Sequence, residues 1–203
     1  MANTEVASSL TLSREEAEKI ERHDSNPLDG IWIFIVGDLF IFGSYFITYA
    51  LWRNWDHATF LASQQHLSQA IGIFNTVVLL ASSWCVAGAM KAQRAADYDA
   101  AGRLTLWTAA CGVIFMVSKV SEWVMGIGQG HTFTTDMFFQ FYYWMTGVHL
   151  LHVIFGLLVL GRLYIEVKDP ECRNTATAES CAAFWHMVDL LWLIIFALVY
   201  LMR

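Results

Sequence analysis

Five long apolar runs, separated by short polar segments, constrain this chain more than any other feature of its sequence. A helix needs roughly 20 apolar residues to cross the hydrocarbon core of a bilayer, and it satisfies its own backbone hydrogen bonds in lipid. The runs are Ile31–Trp52, Ala70–Met90, Leu104–Ile127, Met137–Gly161 and Ala182–Met202. We therefore predict an all-α membrane protein, built as a bundle of five transmembrane helices.

The composition leaves little sequence for a soluble domain. Apolar residues make up 57% of the chain and charged residues 15%, whereas a soluble domain usually has about 25% charged residues. Residues 1–29 are polar, and Ser13–Arg22 mixes acidic and basic side chains. We predict a polar N-terminal segment, residues 1–29, and a five-span domain, residues 30–203. The first span is expected to serve as its own insertion signal, without a cleavable signal peptide.

The basic residues predict which way the chain crosses the membrane. If the N-terminus is cytoplasmic, nine lysines and arginines fall in inner segments, whereas only Arg53 and Arg203 fall in outer ones. Cytoplasmic segments carry the excess of basic residues in membrane proteins. We therefore predict a multi-pass protein of the bacterial inner membrane, with a cytoplasmic N-terminus and a periplasmic C-terminus. The nine inner residues are Arg14, Lys19, Arg22, Lys91, Arg94, Arg103, Arg162, Lys168 and Arg173.

Seven ionisable side chains fall inside the predicted spans, where such groups are expensive and are often functional. Lys119 and Glu122 are three residues apart, so they share a helix face and are expected to form an intrahelical ion pair. The alternating direction of the spans would let the remaining side chains, together with Glu122, meet in two layers. The inner layer would hold Asp38, His186 and Asp189, and the outer layer Glu122, His149 and His152.

Three interpretations of these groups remain open. The first is a structural network, since interhelical hydrogen bonds satisfy buried polar groups. The second is a proton relay or reservoir, for which intramembrane Asp, Glu and His are the usual materials. The third is a haem or metal site, but a di-iron site needs several Glu-x-x-His elements, and no span carries one. We expect no metal ligands in this chain.

Four motifs, in this order, closely resemble subunit III of the haem-copper oxidases. Asn75–Ser83 opens the second span, Ser121–Glu122 closes the third, Thr146–Val153 lies in the fourth and Trp185–Trp192 begins the fifth. The histidine motif of the fourth span and the Trp-His-x-Val-Asp motif of the fifth are highly specific in combination. The resemblance covers roughly residues 30–202.

The resemblance implies a role as well as a fold. Family members of the short, five-span kind carry no haem or copper and pack beside the catalytic subunit I, in which haem and metal are expected. They bind phospholipid and support proton uptake by the partner, and no nucleic acid is involved. The proton-related candidates are Asp38, Asp189 and His186, and the structural polar network is Lys119, Glu122, His149 and His152. Arg162 and Lys168, near an inner helix end, are candidates for contact with anionic lipid headgroups.

Three departures from the family pattern bear on the branch. Asp38 stands where the family usually has Glu, the N-terminal helices of longer members are missing, and Lys119 lies outside the family pattern. These departures favour the nitric oxide reductase-associated branch.

The intramembrane side chains also leave two alternative functions open. One is a stand-alone membrane haem protein that uses His149, His152 or His186 as ligands. The other is a small proton carrier that uses Asp38, Glu122 and Asp189, although the sequence shows no internal repeat and no span interrupted by proline, as many carriers have.

Overall fold

The computed structural model describes residues 27–169 and 175–202 of the chain. Most of the predicted polar segment, residues 1–26, lies outside the described residues. The described part is helical and contains no strand. Its elements are α1 (Pro27–Trp55), α2 (His57–Gln64), α3 (Gln69–Arg94), α4 (Tyr98–Gly128), α5 (Met137–Lys168), α6 (Thr175–Phe196) and a π-helical turn (Ala197–Leu201).

Five of these helices, α1 and α3 to α6, are long and apolar enough to cross a membrane. This confirms the predicted all-α, five-span architecture. We call the end of the bundle that holds α2 the outer end, and the opposite end, where α3 is connected to α4, the inner end.

The helices continue beyond the apolar runs that predicted them. The fourth run ends at Gly161, but α5 continues to Lys168, which adds about 10 Å of helix. The side chain of Asp97 accepts from Ala100 N–H at 3.0 Å to cap α4, and that of Asp136 accepts from Phe139 N–H at 2.8 Å to cap α5. A hydropathy run marks the stretch that suits hydrocarbon, whereas a capped helix also extends through the polar interface.

The short helix α2 is not marked by the apolar runs, because it lies in the segment between the first and the second run. Phe60 is buried and meets Tyr49 of α1 and Phe138 of α5 edge to face. Gln64 donates from its side chain to the carbonyl of Val199 at 2.7 Å. Helix α2 therefore covers the outer end of the bundle and ties α1, α5 and the π-helical turn together.

Helix α6 is the central element of the bundle. In its most apolar stretch 61% of the residues are buried, against 22–33% in the other four spans. The fully buried ring of Trp185 fits between Gly112 of α4 and Gly156 of α5, where an added Cβ would lie 2.8 and 2.9 Å from the indole. The motif that begins with Trp185 is therefore fixed against three neighbours, since the indole N–H also donates to Ser82 Oγ of α3 at 3.0 Å.

The outward faces of the helices are apolar. Ile33, Phe40 and Trp84 are each at least three-quarters exposed, and many other large apolar side chains also point outward. Contiguous apolar surface of this kind is covered by lipid or by a partner protein. The chain is therefore a multi-pass membrane protein.

Candidate functional site

A cluster of charged and phenolic groups lies in the outer half of the bundle, and we call it the outer cluster. It consists of Lys119 and Glu122 of α4, Tyr142 of α5 and Tyr200 of the π-helical turn. Lys119 Nζ lies 2.8 Å from the Glu122 carboxylate, 3.1 Å from the Tyr142 hydroxyl and 2.6 Å from the Tyr200 hydroxyl. The Tyr200 hydroxyl in turn donates to Glu122 at 2.8 Å.

The outer cluster compensates a fully buried charge. A lysine ammonium has three donors, and here three acceptors surround it. Nζ also lies 4.6 Å from the ring centroid of Tyr142 and 5.2 Å from that of Trp192, close enough for cation–π attraction. The cluster therefore joins α4, α5 and the π-helical turn. The three-residue spacing predicted the contact of Lys119 with Glu122, but no sequence signal indicated Tyr142 or Tyr200.

Near the middle of the bundle, Asp38 of α1 meets His152 of α5. His152 Nδ1 lies 2.8 Å from the carbonyl oxygen of Val148, which can only accept, so Nδ1 carries a proton. His152 Nε2 lies 3.1 Å from the Asp38 carboxylate. This second contact needs one proton, which resides either on the imidazole or on the carboxyl. The two arrangements differ only in which partner carries that proton.

A second mid-membrane group lies between α3 and α6. His186 Nδ1 is 2.7 Å from the hydroxyl of Ser83, and the imidazole is exposed on the outside of the bundle. The carboxyl of Asp189 is buried beside Ser82 and Ser83. Within the described part of the chain, no donor makes a well-formed hydrogen bond to either Asp189 oxygen, and the Ser82 hydroxyl donates instead to Leu79 O at 2.8 Å. A buried carboxyl without a donor is costly and marks a candidate functional group.

His149 stands apart from these groups. Its side chain is fully buried, and neither ring nitrogen has a hydrogen-bond partner among the residues described. The ring meets Phe115 edge to face at 5.6 Å and Trp192 at 5.5 Å. In this structure His149 is a packing residue between aromatic rings.

The two predicted layers do not form as expected. Asp38 is paired with His152, which had been expected in the outer layer, and Glu122 is bonded to Lys119 and Tyr200 rather than to a histidine. The physical reason is depth: His152 lies near the midpoint of α5 (Met137–Lys168), where Asp38 of α1 reaches it, and not in the outer half of the helix. His186 and Asp189 do lie together, beside the serines of α3.

Both lipid-contact candidates have carboxylate neighbours at the inner end. Arg162 Nε lies 3.4 Å from Glu166 Oε1, and Lys168 Nζ lies 2.9 Å from Asp99 Oδ1. Sequence reasoning missed Glu166, whose residue is 1% exposed, because it lies beyond the apolar run. Its position one helical turn after Arg162 was the signal that could have found it.

The described residues contain no group of three or more His, Cys, Asp or Glu side chains placed to hold a metal ion. Fold and polar groups together define the class of protein: a five-span membrane bundle whose intramembrane charges are bonded mainly among its own helices.

Comparison with known proteins identifies the family. The family model described as cytochrome c oxidase subunit III matches residues 25–203. Cytochrome c oxidase subunit 3 of Synechocystis is 30% identical over all of this chain and 88% of the relative. Subunit 3 of the cytochrome bo(3) ubiquinol oxidase of Pseudomonas aeruginosa is 29% identical over 89% of this chain and 88% of the relative. A third relative, the haem-copper oxidase subunit I+III of Aeropyrum pernix, is 27% identical over 92% of this chain, which matches 24% of the relative. The chain belongs to the cytochrome c oxidase subunit III family.

Proposed function

We propose that this chain is the non-catalytic subunit III of a haem-copper oxidase. It binds no haem or copper itself and packs beside a subunit I-type membrane protein, which holds these cofactors and carries out the redox chemistry. The observation that carries this proposal is the family match over nearly the whole chain, residues 25–203. The Aeropyrum pernix relative is named subunit I+III, a fusion that supports side-by-side packing of the two units.

The proposed setting is the bacterial inner membrane, with the N-terminus in the cytoplasm. The nine-to-two distribution of basic residues supports this orientation. Arg162 and Lys168 are both roughly half exposed at the inner end, which suits contact with anionic phospholipid headgroups.

Within the complex, the mid-membrane carboxyls are proposed to support proton uptake by the partner. The Asp38–His152 pair holds one exchangeable proton, and Asp189 lies beside Ser83, which bonds the exposed His186. The outer cluster and His149 are proposed to stabilise the bundle, since their contacts join neighbouring helices.

The test is purification of the tagged chain from its native membrane in mild detergent, followed by partner identification and an absorbance spectrum. We expect a larger haem-containing subunit to copurify, and we expect the isolated chain to show no haem absorbance. A stoichiometric Soret band from the isolated chain would overturn the proposal in favour of a stand-alone haem protein. A proton flux through proteoliposomes of the isolated chain, lost in Asp38→Asn, would favour a carrier.

Asp38 and Lys119 favour a second candidate, the nitric oxide reductase-associated branch of the family. The three relatives reported above are named for oxidases, so we propose oxygen as the acceptor. Oxygen and nitric oxide consumption by the purified complex, measured on one preparation, distinguishes the two.

A further inference from the structure

The imidazole of His186 is exposed on the outside of the bundle, although it lies close to the middle of its span. The apolar span that α6 forms with the π-helical turn, Thr177–Leu201, has 25 residues. Its midpoint is Asp189, and His186 precedes that residue by about 5 Å along the helix axis, at 1.5 Å per residue. Half of the hydrocarbon core is about 15 Å thick. A histidine side chain is too short to bridge the remaining distance, so the imidazole stays at hydrocarbon depth.

Only one of the two ring nitrogens of His186 is bonded within the described part of the chain. Nδ1 lies 2.7 Å from the hydroxyl of Ser83 on α3, and Nε2 makes no hydrogen bond to the described residues. Other exposed polar groups of the spans are satisfied locally, because the hydroxyls of Ser44, Thr48 and Ser121 donate to carbonyls of their own helices at 2.7–2.8 Å. Lipid tails offer Nε2 neither a donor nor an acceptor, and an unsatisfied polar group in an apolar environment is costly.

The surface around His186 is formed by α6 together with α3, and it carries a second polar group at this depth. Leu190 of α6 and Leu80 of α3 are about half exposed, and Trp84 of α3 is 82% exposed. Trp84 lies within one helical turn of the midpoint of its span, Gln69–Arg94, away from the membrane interfaces that tryptophan prefers. We call the surface of Leu80, Trp84, His186 and Leu190 the α3–α6 face.

The α3–α6 face is rigid, because several hydrogen bonds fix its two helices against each other. Besides the bond from Trp185 to Ser82, the indole N–H of Trp192 donates to Thr76 Oγ1 at 3.1 Å. Toward the inner end, Arg94 of α3 donates to the Glu179 carboxylate of α6 at 2.7 Å. A surface that is already ordered loses little conformational entropy when it binds a partner.

We propose that the α3–α6 face binds a transmembrane helix of the haem-containing subunit, and that this helix presents a hydroxyl, amide or carboxyl side chain to Nε2 of His186. The inference rests on the proposed function, which supplies the partner, and it adds the face and the chemistry of the contact. Hydrogen bonds between polar side chains join helices within a membrane. The indole N–H of Trp84 is a second donor for the same helix, and tryptophan is enriched where protein interfaces bind most strongly.

The first test places a photoreactive phenylalanine analogue at Leu190 and irradiates the complex in its native membrane. Val113 of α4 is the matched control, because it is 44% exposed against 48% for Leu190 and lies at the midpoint of its own span, Tyr98–Gly128. We expect a crosslink to the haem-containing subunit from Leu190 and not from Val113. A crosslink from Leu190 that is no stronger than that from Val113 overturns the assignment of this face. Absence of a haem-containing subunit from the unmodified preparation overturns the proposed function instead.

The second test removes the imidazole and measures how tightly the chain rebinds to the complex from which it has been removed. His186→Leu should weaken rebinding about threefold to tenfold, the range expected for one interhelical hydrogen bond in a membrane. His186→Gln keeps a hydrogen-bonding group at this depth and should recover most of the affinity. Ser83→Ala removes the bond within the chain but keeps Nε2, so it should rebind as wild type. An equal loss in His186→Leu and Ser83→Ala would assign the effect to the bundle and overturn the proposal.

Discussion

Lys119 shows at the residue scale how this bundle accommodates a full charge in its core. The side chain is fully buried, and its ammonium is surrounded by one carboxylate, two phenols and the rings of Tyr142 and Trp192. By contrast, Lys168 makes its ion pair with Asp99 at a half-exposed position. The two lysines are therefore expected to contribute very differently to the stability of the subunit. A buried charge depends on its partners, whereas an exposed charge is solvated.

This contrast predicts the effect of removing each lysine. Lys119→Met should lower the stability of the subunit by about 3–5 kcal/mol, because it leaves Glu122 as a buried charge without its partner. Lys168→Met, the control, should cost less than about 1 kcal/mol. Thermal unfolding in detergent measures both variants. Adding Glu122→Gln to Lys119→Met should restore part of the lost stability, and a further decrease would contradict the ion-pair explanation.

The Asp38–His152 pair predicts a different phenotype. Asp38→Asn keeps the shape of the side chain but removes the exchangeable carboxyl proton, so we expect several-fold lower turnover, or faster loss of turnover, in a complex that still assembles.

His149→Phe should reduce the yield of assembled complex while each assembled complex keeps its turnover, because His149 packs between aromatic rings. Oxygen consumption per haem, followed over many turnovers, separates the two effects. Unchanged turnover in Asp38→Asn would remove the proton assignment.

Local geometry decided which of these contacts the sequence could predict. The Lys119–Glu122 pair was predictable, because a three-residue spacing fixes both side chains on one helix face. The Asp38–His152 pair was not, because it depends on the relative rotation and depth of α1 and α5. The contact of Tyr200 was harder still to predict, because its hydroxyl reaches Glu122 from a π-helical turn. No apolar periodicity in the sequence indicates such a turn.

At the element scale, apolar runs predicted the existence and order of the long helices better than their ends. α4 begins at Tyr98 rather than Leu104, because Asp97 caps the helix in the polar interface. α2 escaped prediction because a helix of 8 residues produces no span-length signal. Its stability comes from tertiary contacts such as those of Phe60, since short isolated helices are marginal in water.

Packing of α6 against α4 predicts the effect of a single methyl group. Gly112→Ala would place a Cβ 2.8 Å from the Trp185 ring, so the indole must shift and its bond to Ser82 must lengthen. We expect a loss of about 1–3 kcal/mol, as for other overpacked cores. Gly161→Ala is the matched control in α5, where an added Cβ meets nothing within 4 Å. That variant should be neutral or more stable by roughly 0.5–1 kcal/mol. Comparable unfolding midpoints for the two variants would show that Trp185 is not tightly fixed.

At the scale of the whole molecule, the most buried helix is also the last span in the chain. The four earlier spans are mostly exposed on their own, and α6 completes the core by packing against α1, α3 and α5. The motif with Trp185, His186 and Asp189 lies on this helix, so His186 and Asp189 are positioned only once this span is in place. The sequence predicted five spans, but the central place of α6 follows from packing that hydropathy does not encode.

The orientation of the bundle is the remaining whole-molecule prediction. Alkaline phosphatase is active only after export, so fusions report which side of the membrane a position faces. A fusion after Ala96, in the α3–α4 turn, should be inactive, whereas a fusion after the last residue should be active. The reason is the excess of basic residues in segments assigned to the cytoplasm, Lys91, Arg94 and Arg103 among them. A green fluorescent protein, which folds in the cytoplasm, should give the opposite pattern at the same two positions. An active phosphatase after Ala96 would reverse the orientation, and it would then place the outer cluster in the half of the bundle nearer the cytoplasm.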